Sequence, residues 1–338
     1  MSGKAFNYAG TATIRIEGPS NLLERIAANI DGEQPPTSAP DCSITIQQSP
    51  TPSEIVKDKR FPYLTLEKCG TSKKPSVKYT RYNTHVRTIH QESPAEYHVE
   101  ANVSLDEASG LICIRNYLSN HQRLSEHPLL HASLITFDGR GVLIAGGSRQ
   151  GKTASTVYFL EEGATFVGDE NIILDMSRKQ PNGLYAPRTQ RVRFSTIAES
   201  RLSAVLRDVR VAEATQYIDP DAIQRIIETE SYHVDAGMAF SRRAFCELLG
   251  TTSTEKTPID LVVFPKYANS NTVNKRSVEH SEGVRRLALS GLGRKSDIDP
   301  KELADTRVNL SPNQFSDIEF MELEFSGIPA LREGGVRL

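Results

Sequence analysis

Gly146, Gly151, Lys152 and Thr153 stand at the spacing G-x-x-x-x-G-K-S/T, inside the stretch "GVLIAGGSRQGKT" from Gly141 to Thr153. That spacing has a definite chemistry. Glycines lack Cβ, so successive backbone N–H groups can turn toward one point, and such a nest binds anions. A helix beginning at the end of the loop adds the partial positive charge of its N-terminus. The lysine then reaches the outer phosphates of a nucleotide, and the following hydroxyl holds Mg2+. The expected cradle is Gly146, Gly147, Ser148, Arg149, Gln150, Gly151, Lys152, Thr153 and Ala154, and the expected cofactors are ATP or GTP with Mg2+. The plain alternative is a glycine-rich turn with a lysine in solvent.

Phosphoryl transfer needs more than a cradle. A carboxylate must serve the metal, and some group must handle the proton of the acceptor. The segment "FVGDEN" offers Asp169 and Glu170 directly after a glycine, with apolar residues on both sides. Adjacent acids at a strand end are often only solvated turn residues, but here they follow a phosphate loop. His131 lies upstream, at the start of the strand pair that leads into the loop. A lone histidine is more often structural than functional.

The surrounding elements must hold these groups in place. "LLHASLITF" and "GVLIAG" are apolar and extended, joined at Asp138 and Gly139, a turn pair suited to a hairpin. "KTASTVYFLEEG" predicts a helix stopped by Gly163. "TFVGDENIILD" predicts two short strands around a polar centre. Later, "AESRLSAVLRDV", "DAIQRIIETE" and "EGVRRLALSGLG" read as helices. "IDLVVFP" is an uninterrupted apolar run, as in a strand covered on both faces, and "IEFMELEF" alternates like a final edge strand. The earlier part is β-rich: "ATIRIEG", "CSITIQQ", Tyr97 to Val103 and Leu111 to Ile114 read as strands. One helix, "SNLLERIAANI", has Ser20 as its N-cap and Leu22, Leu23, Ile26 and Ile30 on one face. These patterns predict a β-rich α+β N-terminal domain over residues 1–122 and an α/β domain over residues 123–338.

His131, the strand pair, "GGSRQGKT" and "FVGDEN" together resemble the core of the HPr kinase/phosphorylase family, over residues 129 to 175. The resemblance implies a P-loop fold related to phosphoenolpyruvate carboxykinase in the C-terminal domain. It implies Asp169 as general base on the acceptor hydroxyl and His131 as the support of that acid. Lys152 would hold the phosphates, and Thr153, Glu170 and Asp169 would face Mg2+. The chain departs from the family in three places. Glu170 stands where the family shows a second Asp, "APRTQRVRF" stands where a glycine-rich signature would follow, and the N-terminal half differs in pattern. The pattern is that of a diverged member rather than a true HPr kinase. The acceptor implied is a hydroxyl on a peptide, a protein or a small molecule.

Composition narrows the partners. With 38% hydrophobic and 24% charged residues, the 338-residue chain can bury a real core. A net charge of -2 gives no global attraction to nucleic acid or membrane. No run reaches bilayer length and the first residues lack an apolar signal core, so the cytoplasm is expected. Cys42, Cys69, Cys113 and Cys246 are far apart, which suits reduced, buried thiols rather than a metal site. Between Lys57 and Arg87 there are nine Lys/Arg against two acids, with Tyr63, Tyr79 and Tyr82 interleaved. A basic face is the plain reading, and a nucleic-acid end-modifying kinase is the sharper one. Arg188, Arg191 and Arg193 alternate along an expected strand and offer contacts to the acceptor or the transferring phosphate, against the plain reading of a solvated face. Arg242 and Arg243 precede an apolar helix, and "GLGRK" reads as a loop. A nucleotide-gated binding module is the rival from another class, and self-association into a homo-oligomer stays open.

Overall fold

The computed structural model describes residues 2–8, 12–27, 42–48, 64–67, 76–79, 84–90, 95–101, 128–147, 149–186, 189–206, 225–226, 228–230, 232, 237–268, 272–290 and 310–338. These fall into two compact units, one up to Leu124 and one from Ser125 onward. Several sheets and few helices make a mixed α/β protein. Among the described residues no helix is long and apolar enough to cross a membrane.

The first unit is one mixed seven-stranded sheet. Its strands are β1 (Ser2–Tyr8), β2 (Ala12–Gly18), β3 (Cys42–Gln48), β4 (Leu64–Glu67), β5 (Ser76–Tyr79), β6 (Thr84–His90) and β7 (Ala95–Ala101), in the order β1-β2-β3-β7-β6-β5-β4. Helix α1 (Ser20–Ala27) lies between β2 and its parallel neighbour β3, which is a βαβ crossover. Alternation decides the face: Ile14, Ile16, Ile44 and Ile46 are buried, and Leu23 and Ile26 of α1 are buried with them. The helix begins at Ser20 itself, one residue earlier than a Ser20 cap would place it. The basic segment supplies the backbones of β4, β5 and part of β6. Its side chains, the strand expected at Leu111 to Ile114, Ser148, Arg188 and "GLGRK" lie outside the described residues.

The second unit is built on a six-stranded sheet of order β11-β9-β10-β17-β19-β18. Strands β9 (Ala132–Phe137) and β10 (Arg140–Ala145) form the expected hairpin. Asp138 and Gly139 both take positive φ, 49° and 77°, as a two-residue hairpin turn of matching twist requires. β17 (Leu261–Tyr267) runs parallel to β10, and β19 (Glu319–Phe325) runs parallel to β17. β11 (Thr165–Gly168) closes one edge against β9. β18 (Asn274–Ser277) closes the other, so β19 is an interior strand and not the edge that its alternation suggested. The sequence "NKRS" has no apolar residue and gave no strand signal. β18 exists because β19 offers it a free ladder of N–H and C=O groups.

Helix α2 (Lys152–Glu161) follows the loop and packs on one face of this sheet. The same face is filled by α3 (Phe194–Ala198), a 3-10 segment Arg201–Leu206, α4 (Arg242–Leu249) and α6 (Ile328–Glu333). α5 (His280–Leu289) covers the opposite face near β19. There Phe264 and Phe320 stack at 6.3 Å, and an Arg286 guanidinium lies 5.7 Å from the Phe264 ring. A four-stranded sheet, β16 (Lys256–Pro258), β13 (Asn182–Tyr185), β12 (Ile172–Asp175) and β8 (Leu129–Leu130), completes the cover. β14 (Gln190–Arg193) pairs with β15 (Gly237–Phe240).

Candidate active site

The phosphate loop leaves the carboxyl end of β10, between the parallel strand β17 and the antiparallel strand β9. Open α/β sheets place ligand sites at such ends. Gly151 has φ +98° and closes the loop onto α2, a conformation that favours glycine. A Cβ there would stand 2.7 Å from Cζ of Phe325. Gly146 is less constrained: its Cβ would stand 2.6 Å from Oε1 of Gln150, the end of a side chain that can shift. That same oxygen accepts from the Gly147 N–H at 2.6 Å. α2 begins without a capping side chain, because Gly151 has none, so its first N–H groups face the loop.

Lys152 is almost wholly buried. Its ammonium bridges the loop, donating to the carbonyl oxygens of Gly146 at 2.9 Å and Gly147 at 3.0 Å. Burial pushes its pKa below the ordinary lysine range, and the nearby charges of Asp169 and Glu170 oppose that shift. Thr153, on the next residue, donates from Oγ1 to Oδ2 of Asp169 at 3.0 Å. Asp169 is 1% exposed, at the end of β11. Its other oxygen accepts from the hydroxyl of Ser133 and, at 2.8 Å, from the backbone N–H of Glu170. Burial raises the Asp169 carboxyl above the ordinary range, and the charge of Glu170 raises it further. The three hydrogen bonds pull the other way.

His131 breaks what would have been one long strand. Leu129 and Leu130 pair with β12 in the four-stranded sheet, while Ala132 onward belongs to the six-stranded one. The backbone N–H of His131 donates to the carbonyl of Ser290 at 2.9 Å. Its Nδ1 lies 3.0 Å from the carbonyl oxygen of Glu170. A carbonyl only accepts, so Nδ1 carries the proton of this hydrogen bond. Glu170 has φ +70°, which aims its carbonyl at this histidine. His131 therefore meets the acidic segment through the main chain of Glu170, while the hydroxyls touching Asp169 come from Ser133 and Thr153.

Ser133 gave no warning in the sequence. A hydroxyl in the run "LLHASLITF" reads as core filler, yet its burial at 0% requires a partner, and Asp169 is that partner. Arg242 was equally misleading. It caps nothing in solvent; it is 1% exposed at the start of α4, 4.1 Å over the Tyr185 ring, and donates to the Thr254 carbonyl at 2.5 Å. Tyr185 in turn abuts Gly168, where a Cβ would stand 2.9 Å from the ring. This stack backs the strand end that carries Asp169. Arg191 and Arg193 are exposed on β14, with Gln190 and Val192 facing inward. Cys246 is buried and takes part in no disulfide.

Thr153 and Asp169 supply hard oxygen donors of the kind Mg2+ takes, and Mg2+ needs only one or two protein ligands beside phosphate oxygens.

No family model matches the chain, and no curated protein matches it. Among solved structures the chain is similar to the Hpr(Ser) kinase/phosphatase from Coxiella burnetii. The likeness covers 61% of this chain and 94% of that chain, at 11% identity and a TM-score of 0.27.

Proposed function

We propose that this protein is a nucleotide-dependent kinase that moves the γ-phosphoryl group of ATP or GTP to a hydroxyl on a peptide, a protein or a small molecule. The observation that carries the reading is the Thr153–Asp169 hydrogen bond, which joins the loop's metal-facing hydroxyl to a buried carboxylate from a different strand. Random turns do not bury an acid beside a loop lysine, because an unpaired buried charge costs several kcal/mol.

Each residue then has a task. Backbone N–H groups of the loop and the first turn of α2 face the phosphates. Lys152 spends two of its three donors on Gly146 and Gly147, which fixes the ammonium in the loop, and the third serves a phosphate oxygen. Mg2+, held by Thr153 with Asp169 or Glu170, would neutralise charge on the phosphates. The Asp169 carboxylate takes the proton of the acceptor hydroxyl; its raised pKa makes it a stronger base than an ordinary aspartate. Ser133 and the Glu170 N–H hold that carboxylate in one orientation. His131 holds the turn at Glu170.

The test is transfer of label from γ-labelled ATP to a peptide and metabolite extract. Lys152→Ala should lower the rate by about a hundredfold or more while far-UV circular dichroism stays unchanged. Near-normal transfer by that variant would refute the reading.

A further inference from the structure

Tyr267 is a large ring left in solvent on a face that is otherwise covered. It ends β17, is 54% exposed, and pairs in register with Phe325, the last residue of β19. Side chains alternate along a strand, and Leu261 and Val263 lie in the core beneath α2. Tyr267 therefore stands on the face that carries the helix of the phosphate loop. Its ring meets Phe325 edge-on, with centroids 6.4 Å apart and an interplanar angle of 67°. Phe325 is fully buried, and it is the ring that abuts Gly151. Pro265, two positions earlier on β17, has its Cδ 3.7 Å from the Cβ position of Gly146. Phe325 and Pro265 thus form the floor of the loop, and Tyr267 is the exposed continuation of that floor.

Strand order gives this floor a direction. β11, which Asp169 directly follows, lies on one side of β10, and β17 and β19 lie on the other. A triphosphate lying across the loop with its γ end beside Asp169 has its nucleoside end over β17 and β19. The geometry points to Tyr267 as the platform on which the base of the donor nucleotide stacks. This inference rests on the kinase reading above and adds to it the position of the base. Stacking on a tyrosine uses the π-face that every base has, so the ligand class is a nucleoside triphosphate without strong preference among bases. Ala268 donates its backbone N–H to the Phe325 carbonyl at 2.8 Å, which pins the chain just beyond the ring and limits its freedom to turn away.

Calorimetric titration separates base from phosphate. The full chain, Tyr267→Ala and Tyr267→Phe are each titrated with ATP and with inorganic tripolyphosphate, at fixed Mg2+. The wild type should bind ATP more tightly than tripolyphosphate. Tyr267→Ala should weaken ATP about tenfold and leave tripolyphosphate unchanged, and Tyr267→Phe should keep the wild-type ATP affinity. ATP affinity of Tyr267→Ala within about twofold of wild type would overturn the platform. So would equal weakening of both ligands, which would mean that the loop itself had been disturbed. A wild type that takes up neither ligand would overturn the kinase reading as well, whereas the other failures leave that reading standing.

Discussion

Asp169 is placed at odds with its own stability. The fold buries it and sets Glu170 beside it, so the folded-state pKa is raised above the unfolded value. For a raised carboxyl, the folded state binds more protons than the unfolded one between the two pKa values. Stability is therefore greatest below the unfolded value and falls as pH rises through the folded one. Above the folded value the ionised group is a net cost, and there Asp169→Asn should raise the melting temperature while abolishing transfer. A thermal melt beside a turnover assay checks both halves. A clear fall in melting temperature would mean that the carboxylate stabilises the fold. Ser133→Ala removes a hydrogen bond that lowers the Asp169 pKa. The acid limb of the pH–rate profile should then move to higher pH, with the rate recovered at the alkaline end. A fall that is uniform across pH would assign Ser133 a packing role only.

At the scale of elements, the loop depends on the strand two places away. Phe325 of β19 fills the space that a side chain at Gly151 would need, and Gly151 holds φ +98°. Gly151→Ala meets both obstacles at once and should cost about 1–3 kcal/mol in urea unfolding. Phe325→Ala alone relieves the clash but opens the core beneath the loop, so the double variant should lose less than the sum of the two single ones. Helix α2 is buried on nearly every side, and its hydroxyls are satisfied within its own turns: Ser155 donates to the Gly151 carbonyl at 3.0 Å and Thr156 to that of Lys152 at 2.9 Å. A small polar residue can sit deep in this helix only because of those back-bonds. The split of the chain at His131 belongs to this scale too. One run of apolar residues serves two sheets because the break lets Leu129 and Leu130 pair with β12.

At the scale of the second unit, the last residues of the chain close the core over α2. Glu161, at the end of α2, accepts from Arg332 of α6 at 2.5 Å and from the Arg201 N–H at 2.5 Å. Tyr158 donates to the Val336 carbonyl at 3.2 Å. Leu331 is 0% exposed in the same core. Leu331→Ala should cost about 2–5 kcal/mol, and the loop should lose affinity with it, because α2 carries Lys152. Denaturant unfolding together with ATP titration checks this. Affinity unchanged in a strongly destabilised variant would mean that the loop is held from β17 and β19 alone.

The loop, the strand before it, the helix after it and the two short strands around Asp169 were all legible in the sequence. Their signals are local: glycine spacing, apolar runs, and a stop at Gly163, which takes φ +99°. The strand within "IDLVVFP", which runs from Leu261 to Tyr267, and the hairpin at Asp138 were readable for the same reason. Other features were not, since they depend on pairs of residues far apart in the chain. Ser133 is a partner of Asp169 only because β9 lies next to β11. Arg242 is buried only because Tyr185 and Thr254 come together at the head of α4. β18 forms only because β19 has an unpaired side, and Phe325 floors the loop only because β17 and β19 both run parallel to β10. Residue types and their spacing set which groups could do phosphate chemistry. Strand order alone decided which of those groups meet, because hydrogen-bonded neighbours across a sheet are chosen by long-range pairing and leave no mark on the local pattern.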